Sequence, residues 1–349
     1  MSSSVFQVLL VAIVAACSSP SRPSSLDRQL AINAEQYGVV GQAVLVLRDN
    51  DVVYRGSHGV VDRETKQPVR PDQLFPVFSV SKLFTSILVY ELVERGEIDL
   101  KAPISRYVAE LPERWRAVTV EQLLSHVSGL PDYFEPGMTG GFPKTAREMF
   151  ASLADKPLVF EPGSEQRYTQ TNYVLLGALL EEHYGQPYRQ VATERIVKRL
   201  ALANTYFWRP TVPPGKLVTI YRGKDDHLEV EPVIAWPEYA TTHAELFTTI
   251  DDLGTFVTAV RAGRFVKPET LLALWKPYRL PGGDAGWAHG WEYEPRGAEH
   301  FVGHDGGTVL RVRLAFTDSL ARGTHTYIYL TNGSAKNVWS RTLVDSIRR

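Results

Sequence analysis

Apolar positions along the chain fall into recurring patterns that predict its elements. The runs Gln42-Ala43-Val44-Leu45-Val46-Leu47-Arg48 and Val52-Val53-Tyr54-Arg55-Gly56 are apolar and rich in β-branched residues, with Asp49-Asn50-Asp51 between them, which predicts a β-hairpin. Residues 309–316 and 324–330 repeat this character around a turn at 318–323 and predict a second pair of strands. Leu83, Phe84, Ile87, Leu88, Val89 and Leu92 recur at helical spacing over a face so wide that their helix should be buried. Val338, Leu343, Val344 and Ile347 predict a closing helix over 338–348. Both ends of the chain therefore feed one antiparallel sheet, while the middle, about 97–245, reads as mostly helical with long loops. The fold class is α+β: an antiparallel sheet flanked by helices, with an inserted, mostly helical subdomain.

One apolar run, residues 5–16, is too short to cross a bilayer and matches the apolar core of a secretory signal, although Met1-Ser2-Ser3-Ser4 brings no basic residue before it. It ends in Val14-Ala15-Ala16-Cys17, which resembles a bacterial lipobox, so Cys17 is expected to be lipidated. Cys17 is the single cysteine, which leaves no disulfide and no cysteine metal site. Residues 18–30, opening on a Ser/Pro-rich stretch, read as a tether, and residues 31–349 as the folded body. The expectation is an exported protein of the periplasm or cell envelope, held to the membrane by one N-terminal lipid anchor.

Composition narrows the function. With 349 residues and 44% hydrophobic content the chain can bury a sizeable core. Its 38 basic and 39 acidic residues give a net charge of −1 without a basic stripe, which removes the electrostatic case for nucleic acid. No His/Asp/Glu cluster has ligand spacing, so no metal is expected.

Candidate chemistry centres on Ser79-Val80-Ser81-Lys82 at the start of the apolar helix. Three residues of separation put the Ser79 hydroxyl and the Lys82 amine on one helix face, where a lysine of lowered pKa can take the serine's proton. The helix N-terminus favours both the alkoxide and the unprotonated amine. On its own, Ser-x-x-Lys is a two-residue pattern of low specificity. Three further segments follow in order: Thr119-Val120-Glu121-Gln122-Leu123-Leu124-Ser125-His126-Val127-Ser128-Gly129-Leu130-Pro131-Asp132-Tyr133, Pro162-Gly163 leading to Tyr168-Thr169-Gln170, and Gly303-His304-Asp305-Gly306-Gly307-Thr308.

This ordered set, covering nearly all of the chain after residue 35, resembles the serine β-lactamase and penicillin-binding-protein family, and within it the class C-like esterases and D-aminopeptidases. The resemblance implies a β-lactamase/transpeptidase-like fold with its active site in the groove between sheet and helical insertion, and no cofactor. It implies that Ser79 is the nucleophile, that Lys82 and Tyr168 move the proton, and that the N–H groups of Ser79 and Gly307 form an oxyanion hole. Gln170, His304 and Gly306 would contact the substrate. Gln170 stands where the family usually has asparagine, and His304 replaces the family's lysine as a cationic or hydrogen-bonding group on an edge strand. His126 is expected to brace the site from below, at the end of a helix closing at Ser128-Gly129. His243-Ala244-Glu245 replaces a usual Gly-Gly pair near the rim, which bears on substrate scope.

The expected partner is a small-molecule or peptide substrate carrying an ester, amide or β-lactam bond, with esters and peptides favoured by the changes at 170 and 304. A non-catalytic penicillin-binding or sensor protein of the same fold is the alternative. Oligomeric state is not legible in the sequence.

Overall fold

The computed structural model describes residues 24–348 except 225 and 308. The signal segment, Cys17 and the start of the tether lie outside the described residues. The tether assignment fails over its last part, because Ser25–Tyr37 is a helix, α1. The Ser24 hydroxyl accepts from Asp27 N at 3.0 Å, and the Asp27 carboxylate accepts from Ser24 N at 2.8 Å. This capping box starts the helix, and Gly38 at φ +63° ends it.

From α1 the chain enters β1 (Gly41–Arg48) and β2 (Asp51–Gly59), crosses by β3 (Phe75–Pro76), and reaches a 3-10 turn, Phe78–Val80, that runs straight into α2 (Ser81–Glu94). The helical part holds α3 (Val120–Leu124), α4 (Ala146–Ser152), α5 (Thr171–Tyr184) and α6 (Tyr188–Ala192). It is interrupted before residue 245 by β4 (Tyr206–Phe207) and by a hairpin of β5 (Tyr221–Lys224) and β6 (His227–Val230). Then β7 (Leu246–Thr248), α7 (Ile250–Arg261) and α8 (Pro268–Leu274) lead through β8 (Arg279–Leu280) and β9 (Gly283–Asp284) back to the sheet. The chain closes with β10 (Trp287–Ala288), β11 (Trp291–Arg296), β12 (Glu299–Gly306), β13 (Leu310–Phe316), β14 (His325–Thr331) and α9 (Ser340–Ile347).

The main sheet is antiparallel throughout, in the order β10-β11-β12-β13-β14-β1-β2. The first strand pairs with the last, Ala43 opposite Leu330 and Leu45 opposite Ile328, so the two ends of the chain meet within the sheet. Side chains alternate between faces along a strand. Ala43, Leu45 and Leu47 thus enter the main core with α2 and α7, while Val44 and Val46 pack with Leu30 of α1 and Leu343, Val344 and Ile347 of α9. Helices on both faces explain why β1 reads as a continuous apolar run.

Helix α2 is buried from Ser81 to Leu92 on all sides, as the width of its apolar face predicts. It crosses the core between sheet and helical part, where Phe84 stacks on Phe256 with ring centroids 4.0 Å apart. Two expectations are corrected. Strand β12 is interior, because β11 covers the side the sequence left open, although the pairing with β11 ends at Gly303 and leaves residues 304–306 running past it. The helix before His126 ends at Leu124, because His126 turns to φ +56°, outside the right-handed helical region.

Candidate active site

Ser79 sits in a strained elbow. Phe78 has φ +46°, a left-handed conformation unfavourable for an aromatic residue, and this turn aims the next side chain out of the core. The elbow is pinned on several sides: Val77 N donates to Leu246 O at 2.8 Å, Val80 N to Val77 O at 3.0 Å, and Ser81 Oγ to Phe78 O at 2.7 Å. Gly306 of β12 packs so closely against the turn that a Cβ there would lie 2.4 Å from Val77 O.

Two groups converge on the Ser79 hydroxyl. Tyr168 OH donates to Ser79 Oγ at 2.8 Å, and Lys82 Nζ lies 3.3 Å from the same oxygen. Lys82 is fully buried, and its amine also donates to Gln170 Oε1 at 2.7 Å and to the His243 carbonyl at 3.1 Å. Burial holds its pKa well below the usual lysine range, and the charges of Asp132 and Glu292 oppose that only in part. A neutral amine has two N–H bonds and one lone pair. With both donors taken by Gln170 and His243, the lone pair is left for the Ser79 proton. Burial pushes the Tyr168 phenol well above its ordinary range, so Tyr168 is a protonated donor.

Tyr168 is held by packing. Its ring lies 4.5 Å from that of His126 and 5.5 Å from that of Trp287, centroid to centroid. His126, fully buried, is tied by Nδ1 to Thr169 N at 3.3 Å and to Asn172 Nδ2 at 3.2 Å, the bracing position that the sequence suggested. Burial keeps it neutral by lowering its pKa well below the usual range. Gln170 is fixed by its backbone N–H, which donates to Asp132 Oδ1 at 3.1 Å, and that carboxylate also accepts from Phe134 N at 3.3 Å.

Ser79, Tyr168, Gln170, His243 and Gly307 all line one cleft of about 460 Å³. Gly307 has φ +56°, a conformation suited to glycine, just past the end of β12. His304 and Gly306 do not line the cleft. His304 is 2% exposed, its Nδ1–H donates to the Asp305 carbonyl at 2.6 Å, and its ring packs 4.9 Å from Trp287. Burial lowers its pKa to about 3, so the ring is held as an enclosed, neutral group away from the cleft, where a cationic or hydrogen-bonding group was expected. Gly306 serves close packing of β12 against the Ser79 turn instead of substrate contact.

The sequence reading missed Asp132, the His243 carbonyl and most of the cleft wall. Asp132 stood within a recognised segment, and its role could have been noticed from an acid next to the Gly129-Leu130-Pro131 turn. Phe134, Ile220 and Trp236 come from loops far apart in the chain and carry no local signal.

An alcohol on the turn that leads into a buried helix, between a buried amine of lowered pKa and a phenol at the wall of an apolar cleft, is the arrangement of a serine hydrolase. The chain matches the Beta-lactamase family over residues 26–336, and it belongs to that family. It is 28% identical over 271 residues to esterase EstB of Burkholderia gladioli, covering 67% of this chain and 68% of the esterase. It is 24% identical over 282 residues to penicillin-binding protein 4* of Bacillus subtilis, 76% of this chain and 62% of that protein, so it spans less than two thirds of the latter. Its fold is similar to that of D-amino acid amidase from Ochrobactrum anthropi, with a TM-score of 0.75 at 23% identity over 92% of this chain and 97% of the amidase.

Proposed function

We propose that this protein hydrolyses ester or amide bonds through an acyl intermediate on Ser79. The observation that carries the reading is the double approach to Ser79 Oγ, by Tyr168 OH at 2.8 Å and Lys82 Nζ at 3.3 Å. Neutral Lys82 takes the hydroxyl proton as Ser79 attacks the carbonyl carbon, and the backbone N–H groups of Ser79 and Gly307 receive the developing oxyanion. Tyr168, already a proton donor toward this oxygen, passes a proton to the departing alkoxide or amine and is recharged from the Lys82 ammonium. A water then attacks the acyl carbonyl by the reverse of these transfers and releases the acid.

The test is turnover of 4-nitrophenyl butyrate and of D-phenylalanine amide by the parent protein and by Ser79→Ala. Loss of activity by at least about a thousandfold in the variant supports the reading. Persistent turnover in Ser79→Ala contradicts it. Export and lipid attachment at Cys17 are proposed from the sequence alone. They predict incorporation of labelled fatty acid that disappears in Cys17→Ala.

A further inference from the structure

The cleft beside Ser79 is walled by Phe78, Phe134, Ile220, Ile234, Trp236 and Val309. A substrate carboxylate entering such a cavity loses water and needs a cation in exchange. Each cationic candidate near the cleft is either enclosed or has a carboxylate beside it. The Lys82 amine lies at full burial with its hydrogens directed to Gln170 and His243. His304 is enclosed behind the wall, with its proton given to the Asp305 carbonyl. Arg222, which does line the cleft, is half-exposed at its rim and is paired through Nε with Glu231 Oε2 at 3.3 Å, so the carboxylate of Glu231, which lines the same cleft, offsets its charge there. Behind Phe78 and Ile220 a second compartment of about 240 Å³ reaches Arg209, and Glu245 stands there too: its Oε2 accepts from the Arg209 backbone N–H at 2.9 Å, and its carboxylate interacts electrostatically with the arginine's charge.

The balance of charge around the cleft is therefore neutral to acidic. Glu231 faces it directly, and Asp132 lies beneath Gln170. The geometry points to substrates whose cleft-bound group is apolar and uncharged, with carboxylate-bearing esters and amides refused. This inference rests on Ser79 as the nucleophile and adds the chemical class that its cleft accepts. Arg222 and Glu231 act as the specificity pair: the arginine could hold an anion, and the glutamate keeps it from doing so.

Two substrates isolate the charge: 4-nitrophenyl adipate, with a free carboxylate, and its methyl-capped ester, 4-nitrophenyl methyl adipate. The expected result is a kcat/KM at least about tenfold higher for the capped ester, the difference residing mainly in KM. Glu231→Gln frees Arg222 and should narrow the ratio by about fivefold, through a gain on the free carboxylate. Equal or greater kcat/KM for the free carboxylate overturns the inference, as does a ratio unmoved by Glu231→Gln. In those cases turnover itself survives and only the specificity argument is lost. If neither ester is turned over above the level of Ser79→Ala, the hydrolase reading fails and the inference falls with it.

Discussion

Replacing Gly306 by alanine tests whether strand β12 fixes the nucleophile's position. The residue lies in extended strand without a positive φ, so alanine carries no backbone penalty and acts through its one added carbon. That carbon would meet Val77 O at 2.4 Å and Leu310 Cδ1 at 2.9 Å. Ordinary contact begins near 3.4 Å, so the strand and the Ser79 turn must part by 3.4 − 2.4 = 1.0 Å. The Leu310 side chain can rotate, but the Val77 carbonyl is backbone within the turn that presents Ser79. Overpacking of this kind costs about 1–3 kcal/mol of stability. A displacement near 1 Å in a catalytic constellation costs roughly a hundredfold in rate. The assay is kcat for 4-nitrophenyl butyrate beside thermal unfolding, with Gly282→Ala as control, since nothing lies within 4 Å of a Cβ there. A Gly306→Ala protein with kcat within about twofold of the parent would refute the reasoning.

Three other outcomes are expected. Gln170→Leu removes the acceptor at 2.7 Å that orients the Lys82 amine, so kcat should fall about tenfold to a hundredfold, while Gln170→Asn should retain more activity than Leu; equal rates for the two would contradict this. Because catalysis needs neutral Lys82, kcat/KM should rise with pH through a midpoint well below that of an ordinary lysine. The Asp132 charge raises the Lys82 pKa, so Asp132→Asn should move this limb to lower pH, and movement to higher pH would reverse the argument. Arg313→Met leaves Glu292 and Asp305 without the guanidinium that now meets both, Asp305 Oδ1 at 2.9 Å, and should cost about 3 kcal/mol in urea unfolding; a loss below about 1 kcal/mol would show the pair to be dispensable.

Much of the frame was legible because its signals are local. The run 43–47 is apolar at every position because both faces of β1 are covered, and the Ser79–Lys82 spacing is a helical turn whatever surrounds it. What escaped depends on tertiary context. Strand β11, Trp291-Glu-Tyr-Glu-Pro-Arg, carries three charges and a proline, and only its pairing with β12 reveals it. The glutamates at 292 and 294 are there to meet Arg313 and Arg311 of β13, two strands away. The motif also misled at His304. Its place in the family pattern suggested a cationic or hydrogen-bonding group at the cleft, whereas packing against Trp287 buries the ring and burial lowers its pKa. The capping box at Ser24 and Asp27 was readable locally but was overshadowed by the Ser/Pro-rich residues before it.

Acid-quenched reaction with 4-nitrophenyl acetate, followed by peptide mapping, addresses the chemistry at its source. One acetyl group per chain is expected, on the peptide that contains Ser79, with the accompanying burst of nitrophenol lost in Lys82→Met. Acetylation at any other residue, or an undiminished burst in Lys82→Met, would contradict an alcohol activated by the buried amine beside it.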